Sequence, residues 1–241
     1  MAQRITIAWG AIKGAEEKIS PEIFSVFDNT INTHDVFGDG SAVATYNFDG
    51  DATDLGGTYN GTWHGNESYV EGLIGQAASF DGSSRIKTMI PLNSSIIFSV
   101  WLSIDSSQQV KYAGLFSTGV GSVSTPSIIC DSRGLGVNSG SGDIYGIPTS
   151  IIPQNQYFHV YFYLDNMKDN MKIMINGEEI GTYQDLDRTS PSGYSMGDLN
   201  TQQIAWAGSL NYYLKGKVDQ LRIFNRDLTQ TEVTTLYKEG A

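Results

Sequence analysis

A single cysteine, Cys130, leaves this chain unable to close a disulfide within itself, a usage that fits folding in a reducing cytoplasm. Cationic side chains are scarce as well: 15 Lys and Arg stand against 26 Asp and Glu, a formal net charge of −11, and they form no basic run. That balance repels phosphate backbones, sulfated glycans and anionic bilayers, so nucleic acid is excluded as the expected partner. No stretch approaches the roughly 20 apolar residues that span a bilayer, and no membrane insertion is expected. The opening MAQRITIAWGAIKGAEEK lacks the apolar core of a signal peptide. The N-x-S/T triplets at Asn60, Asn66 and Asn93 are therefore read as chance. What is abundant points to many short strands joined by tight turns: 40% hydrophobic residues, only 17% charged residues and 27 glycines among 241 residues.

Residues 1–37 differ from the rest. A short β-type run, Arg4 to Trp9, precedes a turn and a mixed segment whose Ile19, Ile23, Phe24, Val26, Phe27 and Ile31 are too apolar for a free linker. They are expected to bury against the same chain or to act as a docking or oligomerisation arm. Residues 38–241 read as one all-β domain, because short apolar runs and alternations are bounded by Gly, Asn, Asp and Ser. Strands are predicted at Ala42–Phe48, Ala77–Phe80, Arg85–Met89, Ile96–Ile104, Tyr112–Ser117 and Ser127–Cys130, then at Phe158–Leu164, Met171–Ile175, Glu179–Tyr183 and Val218–Phe224. Their spacing without intervening helices predicts a two-sheet antiparallel jelly roll sandwich. Asn176-Gly177 between two apolar runs predicts a two-residue hairpin turn, and Thr229 with Glu232 forms a capping box opening a short C-terminal helix. Leu228 and Val233 occupy staple positions there, and Gly240 is placed to end the helix.

Six segments occur in an order that resembles the laminin G-like jelly roll domains of the concanavalin A-like lectin and glucanase superfamily. They are YNFDG with DLGG and YNGTW, GQAASFDGSSRI, SVWLSI, YFHVYFYLD, MKIMINGEEIG and the closing GKVDQLRIFNRDLTQTEV. The likeness covers residues 36–238 and implies a concanavalin A-like sandwich, a fold that more often binds than transforms. The lead-in DVFGDGS is similar to that of jelly roll proteins found in bacteriophages, which implies a virion setting.

The resemblance also frames the candidate chemistry. Glucanases of that superfamily hold their catalytic glutamates together on one strand, in a Glu-x-Asp-x-x-Glu-like pattern, and no such pattern occurs here. Glu178 and Glu179 are adjacent and would point to opposite faces of a strand, so the chain is not expected to be an enzyme. His34, His64 and His159 lack metal-ligand spacing, and Cys130 reads as a small packed hydrophobe. Asp54 and Asp219 fall on acidic family positions that imply a calcium site. The alternative for both is a carboxylate that caps a turn. Sugar recognition needs flat aromatic faces edged by hydrogen-bonding groups. Trp206, Tyr212 and Tyr213, in and just before the GSLNYYLKG loop, form the best such cluster, with Tyr145 and Trp63 as additions. Packing or an oligomer interface is the competing role for that loop, and Trp101 reads as core.

The expectation assembled from these readings is a virion structural protein, made in the host cytoplasm, as a head decoration or tail appendage. Residues 1–37 would hold it to other virion proteins and the sandwich would adhere to host-surface glycans, in a homo-oligomer whose many weak sites combine by avidity. A stand-alone carbohydrate-binding protein and a purely architectural jelly roll are the alternatives.

Overall fold

The computed structural model describes residues 33–92, 95–105, 113–118, 127–131, 134–139, 142–147, 151–165, 170–182, 202–207 and 212–241. The chain divides into two compact units, Met1–Thr30 and Ile31–Ala241, and everything described belongs to the second. The apolar positions of the predicted arm, Ile19 through Ile31, lie outside the described residues.

The strands are β1 (Ala42–Tyr46), β2 (Thr62–His64), β3 (Tyr69–Glu71), β4 (Gln76–Asp81), β5 (Arg85–Thr88), β6 (Ser95–Ile104), β7 (Gly114–Thr118) and β8 (Ser127–Asp131). They continue as β9 (Gly134–Ser139), β10 (Gly142–Ile147), β11 (Tyr157–Asp165), β12 (Asn170–Ile175), β13 (Glu178–Thr182), β14 (Gln202–Ile204), β15 (Trp206–Ala207), β16 (Tyr212–Tyr213) and β17 (Lys215–Phe224), followed by the helix α1 (Gln230–Lys238). An eight-stranded sheet runs β13-β12-β11-β6-β17-β4-β3, with β1 also on β17, and a nine-stranded sheet runs β10-β9-β8-β7-β14-β5-β2, with the β15–β16 pair beside β7. Pairing is antiparallel except for the single β16–β7 contact, so the predicted two-sheet jelly roll is what the chain forms.

Period-two side-chain placement explains how the two sheets meet. Phe98, Val100 and Leu102 of β6 and Phe158, Val160 and Phe162 of β11 turn inward, where they join Ile86, Phe116 and Ile204 of the nine-stranded sheet in one core. Phe98 bridges the layers, 5.6 Å from Phe116 and 5.4 Å from Phe162. Each such ring contributes on the order of 2 kcal/mol by leaving water. The intervening residues Ile97, Tyr161 and Tyr163 turn outward and meet Leu228, Val233 and Leu236 in a second cluster under the helix, with Val36 and Phe37 against it. Trp101, on the same outward face, stacks on Tyr237 at 5.7 Å.

Local chemistry behaves as the sequence predicts at both ends of that layer. Asn176 (φ 53°) and Gly177 (φ 79°) form the two-residue turn, in the left-handed region that a type I′ turn requires. Thr229 accepts from the Glu232 backbone N–H while Glu232 accepts from the Thr229 N–H, and the reciprocal box opens the helix. Other elements depart from prediction. The β9–β10 hairpin was not predicted, because Gly134, Gly136 and Gly142 read as turn signals rather than strand. Tyr212 and Tyr213 were placed in a loop, yet both pair in the β15–β16 ladder, Tyr213 with Trp206 and Tyr212 with Ala207. Tertiary pairing overrides the local signal in the two-residue β15 and β16 and in the glycine-bearing β9 and β10.

Candidate functional site

Across the nine-stranded sheet the register lines up two successive rows. One row is Trp63, Ile86, Ile204, Phe116, Ile128, Val137 and Ile144, apolar throughout. The next row is Thr62, Lys87, Gln203, Ser117, Ser127, Asn138 and Asp143, polar throughout. Since neighbouring residues of a strand point to opposite faces, and Ile86, Ile204 and Phe116 are core, Thr62, Lys87, Gln203, Ser117 and Ser127 belong to the face away from the core. A face patterned in this way is built to meet something polar.

Its floor is occluded. Ser117 and Gln203 are buried, and Ser117 Oγ, Gln203 Oε1, Trp206 Nε1 and Arg85 Nε have no hydrogen-bond partner. Each unpaired buried polar group costs about 1–3 kcal/mol, so four on one face are a standing demand for donors and acceptors.

Backbone geometry brings the aromatic part to this floor. Ala205 takes a left-handed conformation (φ 65°), so both Ile204 and Ala205 enter the core and Trp206 emerges on the other side. Gly114 lets that segment approach, since a Cβ there would stand 2.2 Å from Ala207 N. Trp206 pairs with Tyr213 across the β15–β16 ladder. Arg85 closes the group: its guanidinium lies 5.0 Å over the Trp206 ring and its Nη1 donates to Tyr213 Oη at 3.1 Å. Arg85, Lys87 and Tyr213 are half-buried, forming a rim above the occluded floor. A ring edged with hydrogen-bonding groups is the arrangement that takes up sugars.

The structure thus joins Trp206 and Tyr213, and separates the other sequence candidates from them. Trp206 itself is 5% exposed, which makes it floor rather than an open platform. Tyr212 pairs with Ala207, on the opposite side of the short ladder from Tyr213. Trp63 is turned to the core side, donating to Tyr69 Oη at 2.6 Å and stacking on Phe80 at 5.0 Å. Tyr145 sits in β10, two register positions from the polar row. Arg85, Ser117 and Gln203 were missed by sequence reasoning. The alternation Arg85-Ile86-Lys87-Thr88 was the available signal.

The two carboxylates predicted for calcium are engaged otherwise. Asp54 takes four backbone N–H donors, from Thr45 and Gly56 on Oδ1 and from Thr58 and Tyr59 on Oδ2, at 2.9–3.2 Å. Donors directed at both oxygens leave no lone pairs arranged for a cation, so Asp54 ties its loop and does not fit a calcium site. Asp219 Oδ2 accepts from Leu73 and Ile74, its Oδ1 is unpartnered, and burial raises its pKa to about 6. Among the described residues no three His, Cys, Asp or Glu side chains are grouped to hold a metal. His159 is buried against Ser99 (2.7 Å) and desolvation lowers its pKa to about 3, so it is neutral. Glu178 and Glu179 are exposed on β13 of the other sheet, and Cys130 packs in the core.

Comparisons with known proteins agree with this architecture. The family model described as the concanavalin A-like lectin/glucanases superfamily matches residues 83–234. A search of curated proteins finds no match. Among solved structures the chain is similar to domain 4 of AbnA, an extracellular GH43 arabinanase from Geobacillus stearothermophilus in complex with arabinotriose, with 26% identity and TM-score 0.65 over 82% of this chain and 98% of that one. It shares its fold with the binding domain of Paraclostridial Mosquitocidal Protein 1 (17% identity, TM-score 0.62) and spans 83% of itself and 52% of that domain. A structure reported for the ganglioside-dependent cell entry of botulinum neurotoxin type C is similar at 16% identity and TM-score 0.59, over 88% of this chain and 52% of the toxin domain.

Proposed function

We propose that this chain, which belongs to the concanavalin A-like lectin/glucanases superfamily, is a non-catalytic carbohydrate-binding protein whose site is the outward face of the nine-stranded sheet. The observation that carries this reading is the set of four unpartnered polar atoms beside the Arg85–Trp206–Tyr213 group. A sugar supplies hydroxyl donors and acceptors in the density that such a floor requires, and its C–H face packs on an aromatic ring. The arabinanase domain solved with arabinotriose, the most similar in sequence of those named above, supports a saccharide ligand. The exposed, separate placement of Glu178 and Glu179 supports a binding rather than a hydrolytic role.

The finer reading is that the sandwich is displayed on a virion, with residues 1–37 attaching it to capsid or tail proteins and several copies binding host-surface glycans together. The apolar character of Ile23, Phe24 and Phe27 and the DVFGDGS lead-in support it. Glycan-array binding by the full chain tests the first reading: wild type is expected to mark a discrete glycan set that Trp206→Ala and Gln203→Leu lose while remaining folded. Silence across the array ends that reading in favour of an architectural role. Antibody labelling of purified particles, seen by electron microscopy, tests the second.

A further inference from the structure

Cations are few in this chain, and three of those near the helix are matched to carboxylates. Arg222 meets Glu239 at 2.6 Å, Lys172 meets Asp227 at 2.7 Å, and Arg226 lies between Asp39 and Glu232 at 2.5 and 2.6 Å. Arg85 and Lys87 depart from this pattern. Both are on the outward face of β5, two residues or about 6.5 Å apart, and neither has a carboxylate partner among the described residues. Lys217 and Lys238 also lack a carboxylate among the described residues, but only Arg85 and Lys87 stand beside one another at the polar floor.

The orientation of Arg85 is also specific. Tyr213 Oη occupies Nη1 and the Trp206 ring takes one face of the guanidinium, while Nε has no acceptor. Nε is buried, so the nitrogen left to meet a ligand is Nη2, whose N–H groups suit a carboxylate oxygen. Lys87 adds a point charge on the same side. From this geometry we infer that the saccharide bound here bears a carboxylate, as uronic and sialic acid residues do, and that Arg85 meets it through Nη2 with Lys87 in support. The inference rests on the carbohydrate reading given above. The net charge of −11 opposes dense polyanions at long range, and a single carboxylate held at contact distance escapes most of that penalty.

Isothermal titration of the full-length protein with matched pairs tests this: sialyllactose against lactose, trigalacturonate against its carboxyl-reduced trisaccharide, and arabinotriose as a neutral probe. One acidic member is expected to bind at least about tenfold more tightly than its neutral counterpart, with affinity falling as salt rises. The two acidic arms separate a sialate source from a uronate source. Arg85→Lys keeps the charge and removes the planar guanidinium, and is expected to lose about tenfold more affinity for the acidic ligand than for its neutral counterpart. Lys87→Gln, at a half-buried position with no bonded partner, carries the same test through a smaller loss if Arg85 variants fail to fold. Equal affinity within both pairs, or binding of arabinotriose alone, overturns the carboxylate inference and leaves the carbohydrate reading standing. Absence of binding by all five probes and on the glycan array overturns both.

Discussion

The two sheets turn outward faces of similar patterning to opposite fates. On the eight-stranded sheet, Ser99, Trp101, His159 and Arg222 alternate with inward core residues and are sealed beneath the helix. Its charges are matched there: Arg222, 1% exposed at its side chain, meets Glu239, and Ser99 meets His159. On the nine-stranded sheet, Ser117, Gln203 and Trp206 are equally buried, yet Ser117 Oγ, Gln203 Oε1 and Trp206 Nε1 find no partner, and the cations at the rim find no carboxylate among the described residues. The helix-covered face does retain unpartnered atoms, including Trp101 Nε1 and Asp219 Oδ1. There, Asp219, His159 and Arg222 each bond through another atom, as Arg85 does on the other face, and Trp101 matches Trp206 in having a single, unpartnered polar atom. The difference between the faces is therefore one of charge: Arg222 is met by Glu239 of its own chain, and Arg85 and Lys87 have no carboxylate among the described residues.

The largest expected effect breaks the charge-matched face. Glu239→Ala leaves the Arg222 guanidinium buried and unpaired, and should cost about 3–5 kcal/mol in urea denaturation. Arg85→Ala removes a half-buried cation with no carboxylate to strand, and should change stability by less than about 1 kcal/mol. Comparable losses from the two variants would erase the distinction drawn between the faces.

A second expectation concerns pH. Burial holds the Asp219 carboxyl up at about 6, with nearby Asp49 adding to the shift and the Leu73 and Ile74 N–H groups opposing it. A folded pKa raised above the unfolded value of about 4 means the folded state holds a proton that the unfolded state has released. That contribution to stability is whole below pH 4 and is lost as pH rises through 6. Asp219→Asn keeps an oxygen for the two backbone donors and removes the titration. The variant should gain up to about 3 kcal/mol over wild type at pH 7 and none at pH 4. Parallel stability-pH curves for the two proteins would contradict the assignment.

What could be read before the fold was known was local. The Asn176-Gly177 turn and the Thr229–Glu232 cap are set by residues two or three apart, and both form as the pattern requires. The site is not local. Arg85, Ser117 and Gln203 lie up to 118 positions apart, 85 to 203, and meet only through the β5–β14–β7 register. Gln202–Ile204 is three residues long with two glutamines, too short and too polar to announce a central strand. Trp206 turns outward only because Ala205 adopts a left-handed conformation, which nothing about alanine foretells. Aromatic content alone could therefore suggest Trp206 and Tyr213 but not the polar floor beneath them.

The smallest effect compares the faces most directly, because the same atom is deleted from each. Ser99→Ala removes the hydroxyl bonded to His159 Nε2 at 2.7 Å and leaves that buried nitrogen without a partner, at a cost of about 1–3 kcal/mol. Ser117→Ala removes a buried hydroxyl that has no partner, so the desolvation cost disappears and stability should hold or rise by up to about 1 kcal/mol. Thermal and urea unfolding of both variants measure the opposition in sign. If the Ser117 face is a ligand site, the stabilised variant should also bind glycan more weakly, the usual exchange at a site that keeps polar groups unsatisfied for function. A Ser117→Ala protein as destabilised as Ser99→Ala would mean that Oγ has a structural partner, and the floor of the proposed site would lose one of its four open positions.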